Sequence, residues 1–426
     1  MKVLHISSSD GGGGAAIAAR RIHLSFNEKS NVMSSMFVSN KTSNYEGIFT
    51  YRNDIAKFYA FLKRGLGKKI SKLQKTDNKV LHSVSCLPCR LDKFINSSSY
   101  DLIHLHWLQG EMMSIESIGR IKKPLIWTLH DNWAFSGSEH LPFDRSDTRY
   151  QEGYKKRNKP AGHKSFDFDR WCWERKRKSW NNKIKIVCPS NWLKECAEKS
   201  ALMKSWDINL IPHPLDIEIF KPWPKKVAKD LFKLPLNKKI ILFGSMDGTN
   251  NFNKGWDLLS KSLKIISSKN SNFVAVIFGQ SYGNHLKGTD IPVYYAGKLE
   301  DSESLAMLYS AADLVVVPSR MESFCQTASE STTCGTPVIG FRYSGLKDII
   351  SHNETGFLIE PYDYKSLANG ILELLVNEQK LKKFSIACRN KAVDLWSYKR
   401  ISEMYYKRYL ELLDSNLSSQ KNKKFF

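Results

Sequence analysis

At 426 residues the chain is longer than one hydrophobic core usually organises, so two domains are expected. A content of 42% hydrophobic and 12% aromatic residues excludes a disordered chain, and no apolar run approaches the roughly 18 residues that cross a bilayer. The net charge of +23 is uneven: residues 1–212 hold 36 Lys and Arg against 20 Asp and Glu, so this half should meet an anionic partner, whether phosphate, acidic lipid or nucleic acid.

The start MKVLHISSSDGGGG lacks the long apolar stretch and cleavage site of a secretory signal, and the eight cysteines follow no disulfide spacing. Both features predict a cytoplasmic protein in a reducing compartment. Cys86-Leu-Pro-Cys89 has no second pair at zinc-finger spacing and reads as two ordinary thiols near a turn.

In chain order, a strand over Val3–Ser7, a loop over Gly11–Gly14 and a helix over Ala15–Phe26 open a Rossmann-like unit. The stretch KFYAFLKRGLGKKISKLQK places Phe58, Phe61, Leu62, Leu66, Ile70 and Leu73 at helical spacing among many cations. This basic amphipathic pattern fits two readings, a helix lying on an anionic membrane or one packed on the first lobe; Gly65 and Gly67 weaken it as a helix. The runs SSMFVS, DLIHLHW, PLIWTLH and IKIVCPS read as parallel strands buried on both faces. His104 and His106 are expected on opposite sides of their strand, which argues against a metal pair. Residues 134–180 look like a long polar excursion, where RWCWERKRKSW mixes cations with Trp171, Trp173 and Trp180.

A proline-rich hinge is expected near 213–224, then a second alternation: KIILFGS, helix Trp256–Ser267, NFVAVIFG, PVYYAG, helix Ser302–Ala311, DLVVVPS, helix Thr327–Cys334 and PVIGF. The domains predicted are thus residues 1–212 and 213–394. A terminal helix over about 395–414 should pack back on the first lobe, followed by a frayed tail at 415–426. The expected fold is α/β, two Rossmann-like lobes with ligands at the carboxyl ends of the strands.

Chemistry concentrates in DLVVVPSRMESFCQTASESTTCGTPVIGF. A loop carrying Glu322 leads into a helix that begins near Phe324 and carries Glu330. Free N–H groups at such a junction suit a diphosphate, and carboxylates suit sugar hydroxyls.

At these residues the chain resembles the retaining GT-B glycosyltransferases, specifically family 4. Its Glu-x7-Glu motif is matched by ESFCQTASE and its following strand by CGTPVIG. GGGG, IPHPLDIEIF and KGWDLL match further family features, so the resemblance runs from Met1 to about Tyr409. It implies a GT-B fold with two lobes facing across a cleft, and transfer of a sugar with retention from a nucleotide-sugar donor. The acceptor would be a saccharide or lipid-linked saccharide of bacterial surface polysaccharide synthesis. No cofactor and no metal are expected. Among site residues, the resemblance implies that Glu322 binds the donor sugar with the amides of Phe324 and Cys325, while Glu330 binds the ribose. Lys254 would neutralise the diphosphate, Gly13 and Gly14 would let the first loop approach the phosphate, and His130 would stand near sugar and acceptor. The family's diphosphate arginine is replaced by Ser245 or Asn253, depending on its place, and SFCQT departs from the usual EGFGLP-type stretch.

Three other classes compete. A sugar-nucleotide epimerase would use the same fold. A nicotinamide oxidoreductase fits Gly11-x-Gly13-x-x-Ala16 but lacks the acidic residue at the end of the second strand, where VSNK stands. A nucleic-acid-binding protein rests on charge alone, without a binding signature, so nucleic acid is not an expected partner. Peripheral attachment to an anionic membrane is expected from the basic first half.

Overall fold

A computed structural model of the chain describes residues 1–27, 31–180, 184–244, 248–269, 272–282 and 291–423. Ser245, a candidate donor contact, lies outside them. The chain divides into two compact units, Met1–His213 with Ile401–Phe426, and Pro214–Arg400. Among the described residues no helix is long and apolar enough to cross a membrane.

The first unit holds seven parallel strands: β1 (Lys2–Ser9), β2 (Met33–Asn40), β3 (Ile48–Phe49), β4 (Leu102–Leu105), β5 (Leu125–Thr128), β6 (Lys185–Cys188) and β7 (Ile208–Leu210). Their order is β3-β2-β1-β4-β5-β6-β7. The second unit holds β8 (Lys239–Gly244), β9 (Phe273–Phe278), β10 (Val293–Gly297), β11 (Leu314–Val317), β12 (Val338–Phe341) and β13 (Gly356–Ile359), in the order β10-β9-β8-β11-β12-β13. In each sheet the connections reverse direction once, between β1 and β4 and between β8 and β11. Loops leaving these strands diverge and open a crevice at their carboxyl ends. Continuous burial along β4, β9, β11 and β12 reflects helices on both faces, which is why these strands read as apolar runs.

The terminal helix spans Tyr398–Lys423, beyond the 395–414 expected, so the segment taken as a frayed tail is helical to Lys423. Ile401, Tyr405, Tyr409 and Leu412 recur on one face and close a core with Val3, Ile22, Phe26, Leu102 and Ile126 of the first unit.

Two further expectations need correcting. Residues 134–180 are not a plain loop: they contain helices Arg149–Glu152 and Phe168–Ser179 and a 3-10 turn at Lys156–Asn158, held by buried polar contacts that hydrophobic periodicity does not register. His104 and His106 do not face opposite sides. Residues two apart on a strand share a face, and the two rings stack with centroids 4.1 Å apart. Parallel pairing sets His5 beside His104. His5 Nδ1 then lies 3.0 Å from His106 Nε2, and His106 Nδ1 lies 3.3 Å from His130 Nε2. His104 is held by Tyr409 Oη and Thr128 Oγ1, each at 2.7 Å. His213 stacks on His130 with ring centroids 5.0 Å apart.

Burial holds His5, His104, His106 and His213 well below the ordinary imidazole range and lowers His130 to about 4. These groups stay neutral in the fold, whereas the unfolded chain takes up protons below about pH 6.5. Stability is therefore present above that value and lost as pH falls from about 6.5 towards the lowered folded values, by up to about 1.4 kcal/mol per pH unit for each imidazole. Urea unfolding should show a midpoint that drops between pH 7 and pH 5. His106→Gln should flatten that dependence.

Candidate active site

The crevice of the second unit is built from the segments leaving β8 and β11. Beyond β8 the chain makes a 3-10 turn at Phe252–Lys254 and enters helix Trp256–Ser267 through Gly255. Gly255 has φ +71°, and a Cβ there would stand 2.0 Å from the carbonyl oxygen of Pro318. Only glycine meets both demands, the left-handed backbone and the contact with the chain leaving β11. The two segments are then sewn together: Arg320 N–H donates to the Asn253 carbonyl at 2.7 Å, and Asn253 Nδ2 donates to the Met321 carbonyl at 2.8 Å.

This joint brings Lys254 to Glu322, with Nζ 2.6 Å from Oε1. Burial opposes the ammonium charge, but the Glu322 carboxylate outweighs it and raises the Lys254 pKa. The backbone of Glu322 is fixed from the other side. Its N–H donates to Ser344 Oγ at 2.9 Å, and its carbonyl accepts from Gly345 N–H at 2.8 Å. Phe324 and Cys325 follow, both buried, and the helix spans Gln326–Thr333, its start between those expected near Phe324 and at Thr327, with Cys325 at φ +84° as its cap. Such strain outside glycine persists only where the surroundings impose it, as here at the start of a helix. Glu330 sits within the helix, buried, and accepts from Tyr309 Oη at 2.9 Å.

Of the sequence-derived candidates, the second unit thus joins Lys254 and Glu322 directly and places Phe324, Cys325 and Glu330 along the same loop and helix. Gly13, Gly14 and His130 lie in the first unit. Gly13 caps helix Gly14–Leu24 in extended conformation, and the left-handed glycine of that loop is Gly12, φ +79°. His130 lies beyond β5, its Nδ1 without a partner among the described residues. Sequence reasoning missed Arg320, adjacent to the lysine turn; its guanidinium is bound to Asp257 at 2.8 and 3.0 Å and lies over the Phe252 ring. Tyr309, on helix Ser302–Ala311, was also missed because no local pattern ties it to Glu330.

Residues 227–391, most of the second unit, match the family model of glycosyl transferases group 1. The second unit carries a group 1 glycosyltransferase domain. Relatives named D-inositol 3-phosphate glycosyltransferase match part of the chain. That of Thermobispora bispora is 29% identical, covering 46% of this chain and 50% of the relative. That of Mycolicibacterium smegmatis is 31% identical, covering 39% and 40%. The chain thus spans half or less of the length of these relatives. Solved structures resemble the whole fold. Sucrose-phosphate synthase from Thermosynechococcus elongatus has a TM-score of 0.67 at 17% identity, over 97% of this chain and 99% of that one. Anabaena HepE, in complex with UDP and glucose, has 0.64 at 16%, over 96% and 99%. The two parallel α/β sheets are those of the GT-B fold.

The group 1 domain makes Gly255 a test of the joint. Gly255→Ala adds a methyl that must displace the Pro318 carbonyl and strains a left-handed residue, a cost of about 2–4 kcal/mol. A lowered unfolding midpoint of that size is expected in chemical denaturation.

Proposed function

We propose that the chain is a retaining glycosyltransferase that moves a sugar from a nucleoside-diphosphate donor to a saccharide on a lipid carrier. The observation that carries this reading is the Lys254–Glu322 pair at the entrance to helix Gln326–Thr333. In the free protein the carboxylate neutralises the ammonium. A donor diphosphate would take Lys254 as counter-ion and the helix N–H groups as donors, releasing Glu322 to accept from neighbouring sugar hydroxyls. Glu330, oriented by Tyr309, would hold the ribose. The lysine and backbone dipoles would stabilise the leaving diphosphate, which can receive the acceptor proton on the same face that it leaves. HepE, whose structure contains UDP and glucose, supports a nucleotide-sugar donor. An epimerase would release nucleotide without acceptor, so acceptor-dependent release distinguishes the two. Thermal shift with UDP- and GDP-sugars should identify the donor. Glu322→Ala should then reduce transfer at least a hundredfold while the protein keeps its native circular dichroism. Wild-type turnover in that variant would remove the assignment.

The lipid carrier and surface-polysaccharide role rest on the first unit. The basic amphipathic stretch is one helix, Asp54–Ser71, despite Gly65 and Gly67. Its packed side is Lys63 and Gly67, where a Cβ on Gly67 would meet Glu111 Cγ at 2.4 Å. Ile55, Phe58, Tyr59, Leu62 and Leu66 are therefore turned outward, 49–76% exposed, with Lys57 and Lys69 at the margins. The packed-helix alternative would have buried these residues. Beneath the helix lies a cavity of about 1200 Å³ lined by Phe37, Phe49, Tyr51, Phe94, Arg52 and Lys63, aromatic and basic together, as a lipid phosphate would require. Peripheral binding to an anionic bilayer follows, with about 1 kcal/mol from each cation near the surface, screened by salt. Wild-type protein should sediment with phosphatidylglycerol vesicles at low salt. Replacing Phe58, Leu62 and Leu66 by Ser should cut this at least fivefold without changing the donor-induced thermal shift.

A further inference from the structure

The stretch that mixes cations with Trp171, Trp173 and Trp180 divides on folding. Trp173 and Trp180 are buried in the core of the first unit, whereas Trp171 is 36% exposed. It belongs to a cluster of three rings at the start of helix Phe168–Ser179. Phe166 and Phe168 meet edge to face with centroids 5.0 Å apart, and Trp171 stands 6.4 Å from the first and 6.1 Å from the second. Phe168 leans on the core, but Phe166 is 61% exposed. The proposed transfer chemistry does not use this cluster.

The cluster is fixed to the end of helix Asp54–Ser71. Beyond that helix the chain keeps turning: Leu73 N–H donates to the Ile70 carbonyl at 3.0 Å and Gln74 N–H to the Ser71 carbonyl at 3.2 Å. Leu73 comes seven residues after Leu66, two turns on, so it prolongs the outward stripe of Phe58, Leu62 and Leu66, and it is exposed as they are. Two residues later the stripe reaches the rings. Lys75 N–H donates to Ser165 Oγ at 2.8 Å, and Lys164 N–H returns a bond to the Lys75 carbonyl at 3.1 Å. Gln74 Nε2 donates to Asp169 Oδ2 at 2.8 Å, which pins the first turn of helix Phe168–Ser179 to the same place. Arg175, held by Glu116 and the carbonyls of Val84 and Ser85, lies over the Trp171 ring at 4.3 Å. The exposed rings are thus braced where they stand.

Charge narrows the partner. Segments 72–79 and 155–166 expose Lys72, Lys75, Lys79 and Lys164 with the run Lys155–Arg157, against one exposed acid, Asp77. Lys159 Nζ donates to the Ser165 carbonyl at 2.7 Å and so draws that run towards the rings. A second copy docking by the same face would set these cations against themselves. A bilayer carrying acidic lipid takes aromatic rings at headgroup depth and cations beside them.

We propose that Phe166, Phe168 and Trp171 form a second membrane contact, which inserts at headgroup depth in an anionic bilayer beside helix Asp54–Ser71. The proposal rests on the membrane reading given above and extends it to residues 134–180. The apolar stripe and the ring cluster then make one contact that runs from Ile55 to Trp171, with cations along it.

The test uses the full chain and vesicles of phosphatidylglycerol mixed with phosphatidylcholine at low salt. Phe166→Ser combined with Trp171→Ser should lower co-sedimentation about threefold or more, with native circular dichroism and an unchanged donor-induced thermal shift. Phe166→Ser alone, at the more exposed ring, should act in the same direction and serves if the pair does not fold. Brominated lipid should quench the tryptophan fluorescence of the wild type, and Trp171→Phe should lose that quenching while it sediments normally. Full sedimentation of the Ser variants, or quenching that persists in Trp171→Phe, overturns the aromatic contact and leaves the helix contact standing. A wild type that does not sediment overturns both. Equal binding to phosphatidylcholine alone also overturns the proposal, as does a dimer in ultracentrifugation that the same substitutions dissociate.

Discussion

Two backbones meet at Gly255, and the second unit's chemistry is arranged around that contact. With no side chain between it and the Pro318 carbonyl, the turn after β8 lies directly on the segment leaving β11. Lys254 and Glu322 come from strands far apart in sequence, yet the contact leaves their charged ends little choice but to meet. The pairing carries electrostatic tension as well as attraction. A part-buried ammonium is held by one carboxylate oxygen, so an anionic ligand with more oxygens can take it over. The strained cap at Cys325 and the buried Glu330 extend the same rigid edge into the helix, so the polar groups are presented by a scaffold and not by a pliable loop.

Much of this was legible in the sequence, for a physical reason. Strands such as FVAVIF and LVVV are buried on both faces, and their unbroken apolar character marks them; the glycine and proline signals between them then place the loops where ligands bind. Glu322 and Glu330 stood out because a loop and a helix start bring carboxylates to fixed spacings, whereas Lys254 came only with the family resemblance. What the sequence could not show is partnership across the fold. Nothing local links Tyr309 to Glu330, or Arg320 to Asp257. For helix Asp54–Ser71 the spacing revealed two faces but not which is covered, and the packed one proved to be the side of Lys63 and Gly67. Residues 134–180 were opaque for a related reason. Their order comes from Glu139 accepting from Tyr154, Asp169 from Gln74, Arg149 donating to Asp167 and Lys176 to backbone carbonyls, and such networks leave no period. The histidines failed differently: residues two apart share a strand face, so their grouping was available from strand geometry alone.

The uneven charge of the chain gains a structural reading from these arrangements. Several basic residues of the first half are not free to act on a partner. Lys176 is enclosed by carbonyls, Arg149 is paired with Asp167, and Arg175 is bound to Glu116 and two carbonyls. Exposed cations remain on helix Asp54–Ser71, where they adjoin apolar side chains, and at Lys155, Lys156, Arg157, Arg177 and Lys178. Charge beside hydrophobic surface is the pattern on which the proposed membrane contact rests.

The return of the terminal helix ties the first unit to the order in which the chain is made. Val3, Leu102 and Ile126 precede the second unit in the chain, yet Ile401, Tyr405 and Tyr409, which complete their core, follow it. Until then the early sheet holds an open apolar face while the whole second unit is being translated. The second unit, by contrast, lies within one continuous stretch and can close its core as soon as it emerges. A nascent chain can therefore close its later unit before its earlier one.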